Sequence, residues 1–180
     1  AFELERVHKS GAKFDPEKTK WFQQHYIQLA NNTDLAEKFE QYLQTKSINA
    51  DKKFILKIVD LLKERVVFVS DFWDQGFYFF MAPTSYDPKN AKKAWKNDSA
   101  QLMSEFAQFL ASIENFSAEN VQQKVKDWIT SKEIGFGKVM MPLRLALVGS
   151  LQGPDLYQII ELNGKDESVK RINKAVETLE

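Results

Sequence analysis

The chain has 180 residues and a formal net charge of zero, with 25 basic and 25 acidic side chains. Hydrophobic residues make up 43%, enough for a buried core, so global disorder is not expected. Neutrality disfavours a protein that simply coats nucleic acid, which is usually basic, but leaves open an RNA reader whose charge is segregated. Cysteine is absent, which excludes disulfides, thiolate metal sites and cysteine nucleophiles.

The ends and apolar runs of the sequence bear on location. No apolar run reaches the length of a membrane span. The first ten residues, AFELERVHKS, lack the apolar centre of a signal peptide. We therefore expect a cytoplasmic protein without a membrane partner. The first residue is Ala1 rather than Met, which suggests a piece of a longer chain.

Capping signals predict three helices near the start of the chain. Asp15-Pro16 pairs a side chain that caps free backbone amides with a residue suited to the first helical turn. Asn32 or Thr33 is expected to cap the second helix, and Asp51 the third. The apolar positions that follow these caps recur at helical spacing: Phe22, Tyr26 and Leu29; Leu35, Phe39, Tyr42 and Leu43; Phe54, Ile55, Ile58, Val59, Leu61 and Leu62.

Residues 66–83 break this pattern. VVFV is compatible with a strand, and GFYFFMAP is an apolar run whose length does not separate a buried helix from a strand. We expect an irregular, mostly buried connector. Because the helical pattern restarts after it, we predict two helical subdomains, residues 1–85 and 86–180.

The second half returns to helical signals. Asp87-Pro88 repeats the start signal of the first helix, and Ser117 is expected to cap a later one. Two apolar stripes lie in this part: Leu102, Phe106, Phe109, Leu110 and Ile113, then Val121, Val125, Trp128 and Ile129. The whole pattern predicts an all-α chain.

Glycine and proline punctuate the last quarter. Gly135 and Gly137 are expected to bracket a turn that precedes a buried helix over 139–148, with Pro142 in its first turn. The Gly-Pro-Asp sequence at 153–155 is expected to open a short helix, and a last helix follows it.

Two lysine-rich clusters are candidate RNA-facing patches. They are Lys89, Lys92, Lys93 and Lys96, and then Lys165, Lys170, Arg171 and Lys174. Charge runs are more often solvated helix faces than binding sites, so that alternative stays open.

The search for catalytic motifs finds none. The two histidines, His8 and His25, do not form a zinc-binding motif. The glycines give neither a dinucleotide-binding nor a phosphate-binding loop, and GFGK at 135–138 lacks the residues that would complete one. We therefore expect no active site in this chain.

Two ordered signatures resemble one family. Residues 9–27, KSGAKFDPEKTKWFQQHYI, resemble the segment of bacterial glutamyl-tRNA synthetases that follows the catalytic Lys-Met-Ser-Lys-Ser loop, although Gln23 stands where the family often has Asn. Residues 137–176, beginning GKVMMPLRLALVGSLQGPDL, are similar to the C-terminal end of the same family. The resemblance spans essentially the whole chain and is strongest at these two ends.

The resemblance implies a helical anticodon-binding domain separated from its catalytic half. The parent would join glutamate to its tRNA with ATP and Mg²⁺, whereas this fragment would need no cofactor. Its partner would be the anticodon loop of glutamate tRNA, not DNA, and the protein would be a monomer.

The resemblance also indicates which residues read the anticodon. Arg144 matches a base-reading arginine, and Arg65 matches a second one in a weaker sequence context. Gly153, Pro154 and Leu156 match a short surface around the same bases, although the family often has a hydroxyl residue where Gly153 stands. On residue type alone, Arg144 in an apolar helix would instead snorkel to the surface or pair with an acid.

Two other functions remain as alternatives at this level. Helix pairs with aromatic cores also build protein–protein scaffolds. A free-standing enzyme is disfavoured by the lack of catalytic motifs. Neither alternative accounts for both end signatures in the correct order.

Overall fold

The computed structural model describes residues 15–179, which form ten α-helices and no strand. The predicted all-α class is confirmed. The helices are α1 (Pro16–Leu29), α2 (Asn32–Thr45), α3 (Lys52–Leu62), α4 (Asp71–Gly76), α5 (Pro88–Ala94), α6 (Ser99–Ala111), α7 (Ala118–Ser131), α8 (Phe136–Val148), α9 (Leu156–Asn163) and α10 (Lys165–Thr178). Short 3-10 turns follow α3 at Lys63–Arg65 and α4 at Phe77–Phe79.

Side-chain caps start many of these helices. The predicted caps accept hydrogen bonds from amides of the first turn and are confirmed at Asp15, Asp51, Asp87, Ser117 and Asp155. The prediction for α2 was wrong by one residue or more, because Asn31 accepts from the Thr33 amide at 2.7 Å. Both Asn and Thr are good caps, so a row of such residues does not fix the start.

Helix α8 begins earlier than predicted. Gly135 is its N-cap, so Gly137 lies within the first turn and does not end a turn. Pro142 therefore lies inside the helix, where it cannot donate to the Lys138 carbonyl. The helix ends at Gly149, whose left-handed backbone (φ 81°) suits a glycine.

Residues 66–83 connect the two halves but are less irregular than predicted, because they include α4 and the 3-10 turn at Phe77–Phe79. Buried positions alternate with half-buried and exposed ones, and the strand alternative is wrong. One oxygen of the Asp71 carboxylate accepts from the amides of Val67 and Phe68, both at 2.9 Å. These bonds bend the chain into α4, because amides held by a nearby side chain cannot join a strand ladder. Phe72 and Tyr78 then point into the core.

Buried residues from both halves of the chain form one contiguous cluster. In the first half α3 packs on α2 and α4, and in the second half α10 packs on α6 and α8. Hydrogen bonds cross the predicted boundary: Arg171 donates to the Tyr78 carbonyl at 2.6 Å, and Lys174 to the Pro83 carbonyl at 3.4 Å. The division at 85/86 stays a prediction.

Helix α1 is the most exposed part of the described chain. Its predicted apolar face is solvent-facing, with Tyr26 67% and Leu29 72% exposed, and Ile27 is its buried residue. Ser10, Lys13 and Phe14 of the first signature lie outside the described residues. Between residues 15 and 179, no helix has both the length and the apolar character to span a membrane.

Candidate nucleic-acid interface

A groove of about 660 Å³ is lined by residues from both halves of the chain. Lys57 and Arg65 line one side, and Pro154, Asp155 and Gln158 line the other. Arg65 and the turn that begins at Gly153 are 88 positions apart in sequence, yet the fold places them at one opening. The groove carries charges of both signs, since Asp60, Glu64 and Glu161 also line it.

Arg144 on α8 does not line this groove but lies against Gly153, next to Pro154 and Asp155 of the groove wall. Within residues 142–149 it is the one residue that is not fully buried. Its Nη1 atom is buried and has no hydrogen-bond partner in the described structure. A first side-chain carbon at Gly153 would lie 3.0 Å from that nitrogen, so the guanidinium fills space that the glycine leaves open.

Burial lowers the pKa of Arg144, and nearby charges modify it. Tyr78 and Asp155 favour the charged form, whereas Arg65 opposes it. These dependences place Arg65, Tyr78 and Asp155 within electrostatic range of Arg144. The two predicted base-reading arginines therefore belong to one charged cluster.

Tyr78 is the buried member of this cluster. The residue is 2% exposed, and its hydroxyl has no hydrogen-bond partner among residues 15–179. Burial raises the pKa of Tyr78 to about 12, although Arg144 and Arg65 act in the opposite direction. The hydroxyl is therefore protonated at any physiological pH.

The turn at 153–156 contributes mostly backbone. Asp155 caps α9 by accepting from the amides of Tyr157 and Gln158 at 2.9 and 3.0 Å. Pro154 is buried but still lines the groove. Leu156 is 3% exposed and packs in the core, so RNA could meet its backbone but not its side chain.

Arg65 is more accessible than Arg144. It lies in the 3-10 turn after α3 and is exposed. Its neighbour Lys63 serves the fold, because its ammonium donates at 2.7 Å to both the Ala30 carbonyl and the Asn32 side chain. Lys63 thereby holds the end of α1 beside the groove.

Sequence reasoning missed two members of the cluster. Tyr78 lay in an apolar run read only as connector, and no sequence signal separated its ring from the neighbouring phenylalanines. Asp155 was read as a helix opener, which is confirmed, but its proximity to Arg144 depends on the fold.

The two candidate lysine patches differ. Lys89, Lys92, Lys93 and Lys96 lie on or just after α5, and all four are exposed to solvent. Arg171 was wrongly placed in the second patch, because it is 3% exposed. Its guanidinium pairs with Glu167 at 2.7 Å and donates to the Tyr78 and Leu147 carbonyls.

The chain has counterparts in one family. The model of the anticodon-binding domain matches residues 34–176, and the chain belongs to that family. Within the part that the structure describes, no group of three or more histidine and acidic residues could hold a metal ion.

The chain is similar to glutamate–tRNA ligases over 99% of its length. It is 68% identical to the ligase of Christiangramia forsetii and 50% identical to that of Flavobacterium johnsoniae. The solved structure of the glutamate tRNA ligase from Elizabethkingia meningosepticum matches it with a TM-score of 0.90 at 45% identity. The chain spans 35%, 36% and 36% of these three proteins. The resemblance predicted from the two end signatures is confirmed.

Proposed function

We propose that this chain is the anticodon-binding part of a glutamate–tRNA ligase that attaches glutamate to its tRNA. Similarity to such ligases over 99% of the chain supports the assignment. The ATP and Mg²⁺ that the reaction uses would be bound by the catalytic part of the ligase. A monomeric, cytoplasmic enzyme is the corresponding expectation.

The cluster of Arg144 and Arg65 beside the groove carries the proposed recognition of RNA. Sequence-specific RNA binding usually targets unpaired bases, through stacking and hydrogen bonds to their edges. The planar guanidinium donates two parallel hydrogen bonds and stacks on rings. Arg65 in the groove and Arg144 within electrostatic range of it suit the unpaired bases of an anticodon loop.

The mixed charge of the groove favours base reading over general attraction to phosphate. Asp60, Glu64 and Glu161 line it together with the cations. Carboxylates repel a phosphate backbone, whereas they tolerate neutral base edges. The groove should therefore bind one loop selectively and contribute little to binding of arbitrary RNA.

Replacement of Arg144 tests the assignment. We expect Arg144→Ala to weaken binding of glutamate tRNA to the intact ligase by about 1–3 kcal/mol, the value of a good bidentate base contact. Fluorescence titration with labelled tRNA measures the dissociation constant. Arg144→Lys is the matched control, because it keeps the positive charge and loses the planar fork.

The control defines the result that would contradict the proposal. A base-reading role predicts that Arg144→Lys also binds weakly. If both variants bind as tightly as the wild type, Arg144 is a structural residue and the recognition site lies elsewhere.

A further inference from the structure

Two buried polar atoms beside Gly153 lack partners. The side-chain nitrogen Arg144 Nη1 and the hydroxyl oxygen of Tyr78 are both inaccessible and make no hydrogen bond within the described chain. A side-chain carbon at Gly153 would lie 3.0 Å from the nitrogen and 3.4 Å from the oxygen. Both atoms therefore border the same small space.

Their chemistry is complementary. A guanidinium nitrogen only donates hydrogen bonds, whereas a tyrosine oxygen also accepts them. Asp155 is the other acceptor within electrostatic range, but its Oδ1 already accepts two amides of α9. Buried polar groups are rarely left without a hydrogen-bond partner, and one bond between Arg144 and Tyr78 would satisfy both atoms.

Tyr78 is also held in place more firmly than Arg144. Its ring lies against those of Phe77 and Phe79, with centroids 5.6 and 4.8 Å away. Its carbonyl accepts from Arg171 Nη1 at 2.6 Å, and the same nitrogen donates to Leu147 near the end of α8. These contacts hold the tyrosine, whereas Arg144 Nη1 has no hydrogen-bond partner that would fix its position in the described chain.

We propose that Tyr78 is the positioning residue of Arg144. A rotation of the arginine side chain would bring its unpartnered inner nitrogen to the Tyr78 hydroxyl, which would accept a hydrogen bond from it and leave the other guanidinium donors for the RNA. This role rests on the proposed recognition of RNA by Arg144. It adds a residue that does not itself touch the RNA, since the hydroxyl is buried.

The first test is a double-mutant cycle on the intact ligase with glutamate tRNA. We expect Tyr78→Phe to weaken binding about 3- to 10-fold, the range of one hydrogen bond. The same substitution should have no effect when Arg144 is already alanine. Tyr157→Phe is the matched control, because it also removes a buried hydroxyl, one that contacts Met140.

The second test needs no RNA. Phenylglyoxal modifies accessible guanidinium groups, and peptide mass spectrometry gives the rate at Arg144 alone. We expect Tyr78→Phe to increase this rate several-fold, while Tyr157→Phe leaves it unchanged. Thermal unfolding of each variant checks that the fold is intact.

The outcomes separate the two proposals. Weak binding by Arg144→Ala together with an unchanged modification rate in Tyr78→Phe would overturn the positioning role and leave the proposed function standing. A faster rate with unimpaired binding by Arg144→Ala would support the positioning and contradict the recognition site. Equal losses from Tyr78→Phe with and without Arg144 would also overturn the positioning role.

Discussion

Arg144 combines a buried inner nitrogen with a side chain that is only partly buried. On residue type alone, snorkelling and base reading both fit an arginine in an apolar helix. The structure shows no carboxylate hydrogen-bonded to its buried nitrogen, although Asp155 is near enough to affect its charge. A guanidinium without a dedicated acid keeps donors for a ligand.

Arg65 should affect the choice between tRNAs. If it contacts the third anticodon base, the base that separates glutamate from glutamine anticodons, then Arg65→Ala should lower the preference of the ligase for glutamate tRNA about tenfold. Charging assays on both tRNAs measure this preference. Lys57→Ala is the control, because it removes another exposed positive charge from the same groove but not a guanidinium group.

Tyr78 should make stability depend on alkaline pH. Its pKa of about 12 lies above the ordinary value of 10.0, so the folded state keeps a proton that the unfolded state loses. The stabilisation is complete below pH 10 and is lost as pH rises from 10 to 12, by roughly 3 kcal/mol. Urea unfolding at pH 9 and 11.5 should show a smaller decrease for Tyr78→Phe than for wild type. If the stability of both proteins falls equally between these pH values, the raised pKa of Tyr78 is not the cause.

The individual site residues were only partly predictable from sequence. The apolar spacing of 139–148 showed that Arg144 interrupts a buried helix, and the resemblance supplied the base-reading role proposed for it. Nothing local showed that the Leu156 side chain packs inward or that Tyr78 lies beside Arg144. Those facts depend on contacts between residues far apart in the chain.

Helix starts were predictable because a cap is a local interaction. Asp15, Asp51 and Asp87 each act on amides within three residues. The helical part of 66–83 was not predicted, because Asp71 accepts hydrogen bonds from the preceding amides of Val67 and Phe68, which overrides the strand preference of VVFV.

The cap of α9 should serve stability and binding together. Asp155→Ala removes two cap bonds and should lower the free energy of unfolding by about 1 kcal/mol. It should also weaken tRNA binding, because the turn beside Arg144 loosens. Asp51→Ala removes an equivalent cap from the end of α3 away from the groove, so it should cost similar stability and leave binding unchanged.

Denaturant unfolding and tRNA titration of the two cap variants give the comparison. Loss of binding in both variants would show that lowered stability, and not the turn, is responsible.

At the scale of the molecule, exposed lysines should act differently from the groove. Replacing Lys89, Lys92 and Lys93 by alanine should weaken binding of any RNA. A plot of the logarithm of the binding constant against the logarithm of the salt concentration should also become less steep. Its slope should change by about 0.7–0.9 for each phosphate that the lysines no longer neutralise. Lys124 and Lys126 on α7 are equally exposed and provide the control. An unchanged salt slope, measured between low and moderate salt, would exclude the α5 surface from the interface.

Arg171 restricts movement between the two halves of the chain. From α10 it bonds at once to the connector and to the end of α8, through Tyr78 and Leu147. A hinge between the two halves would have to break buried hydrogen bonds before the groove could widen. The surface that binds the anticodon loop should therefore be preformed. The protein backbone should move little on binding, and most of the conformational change should occur in the RNA.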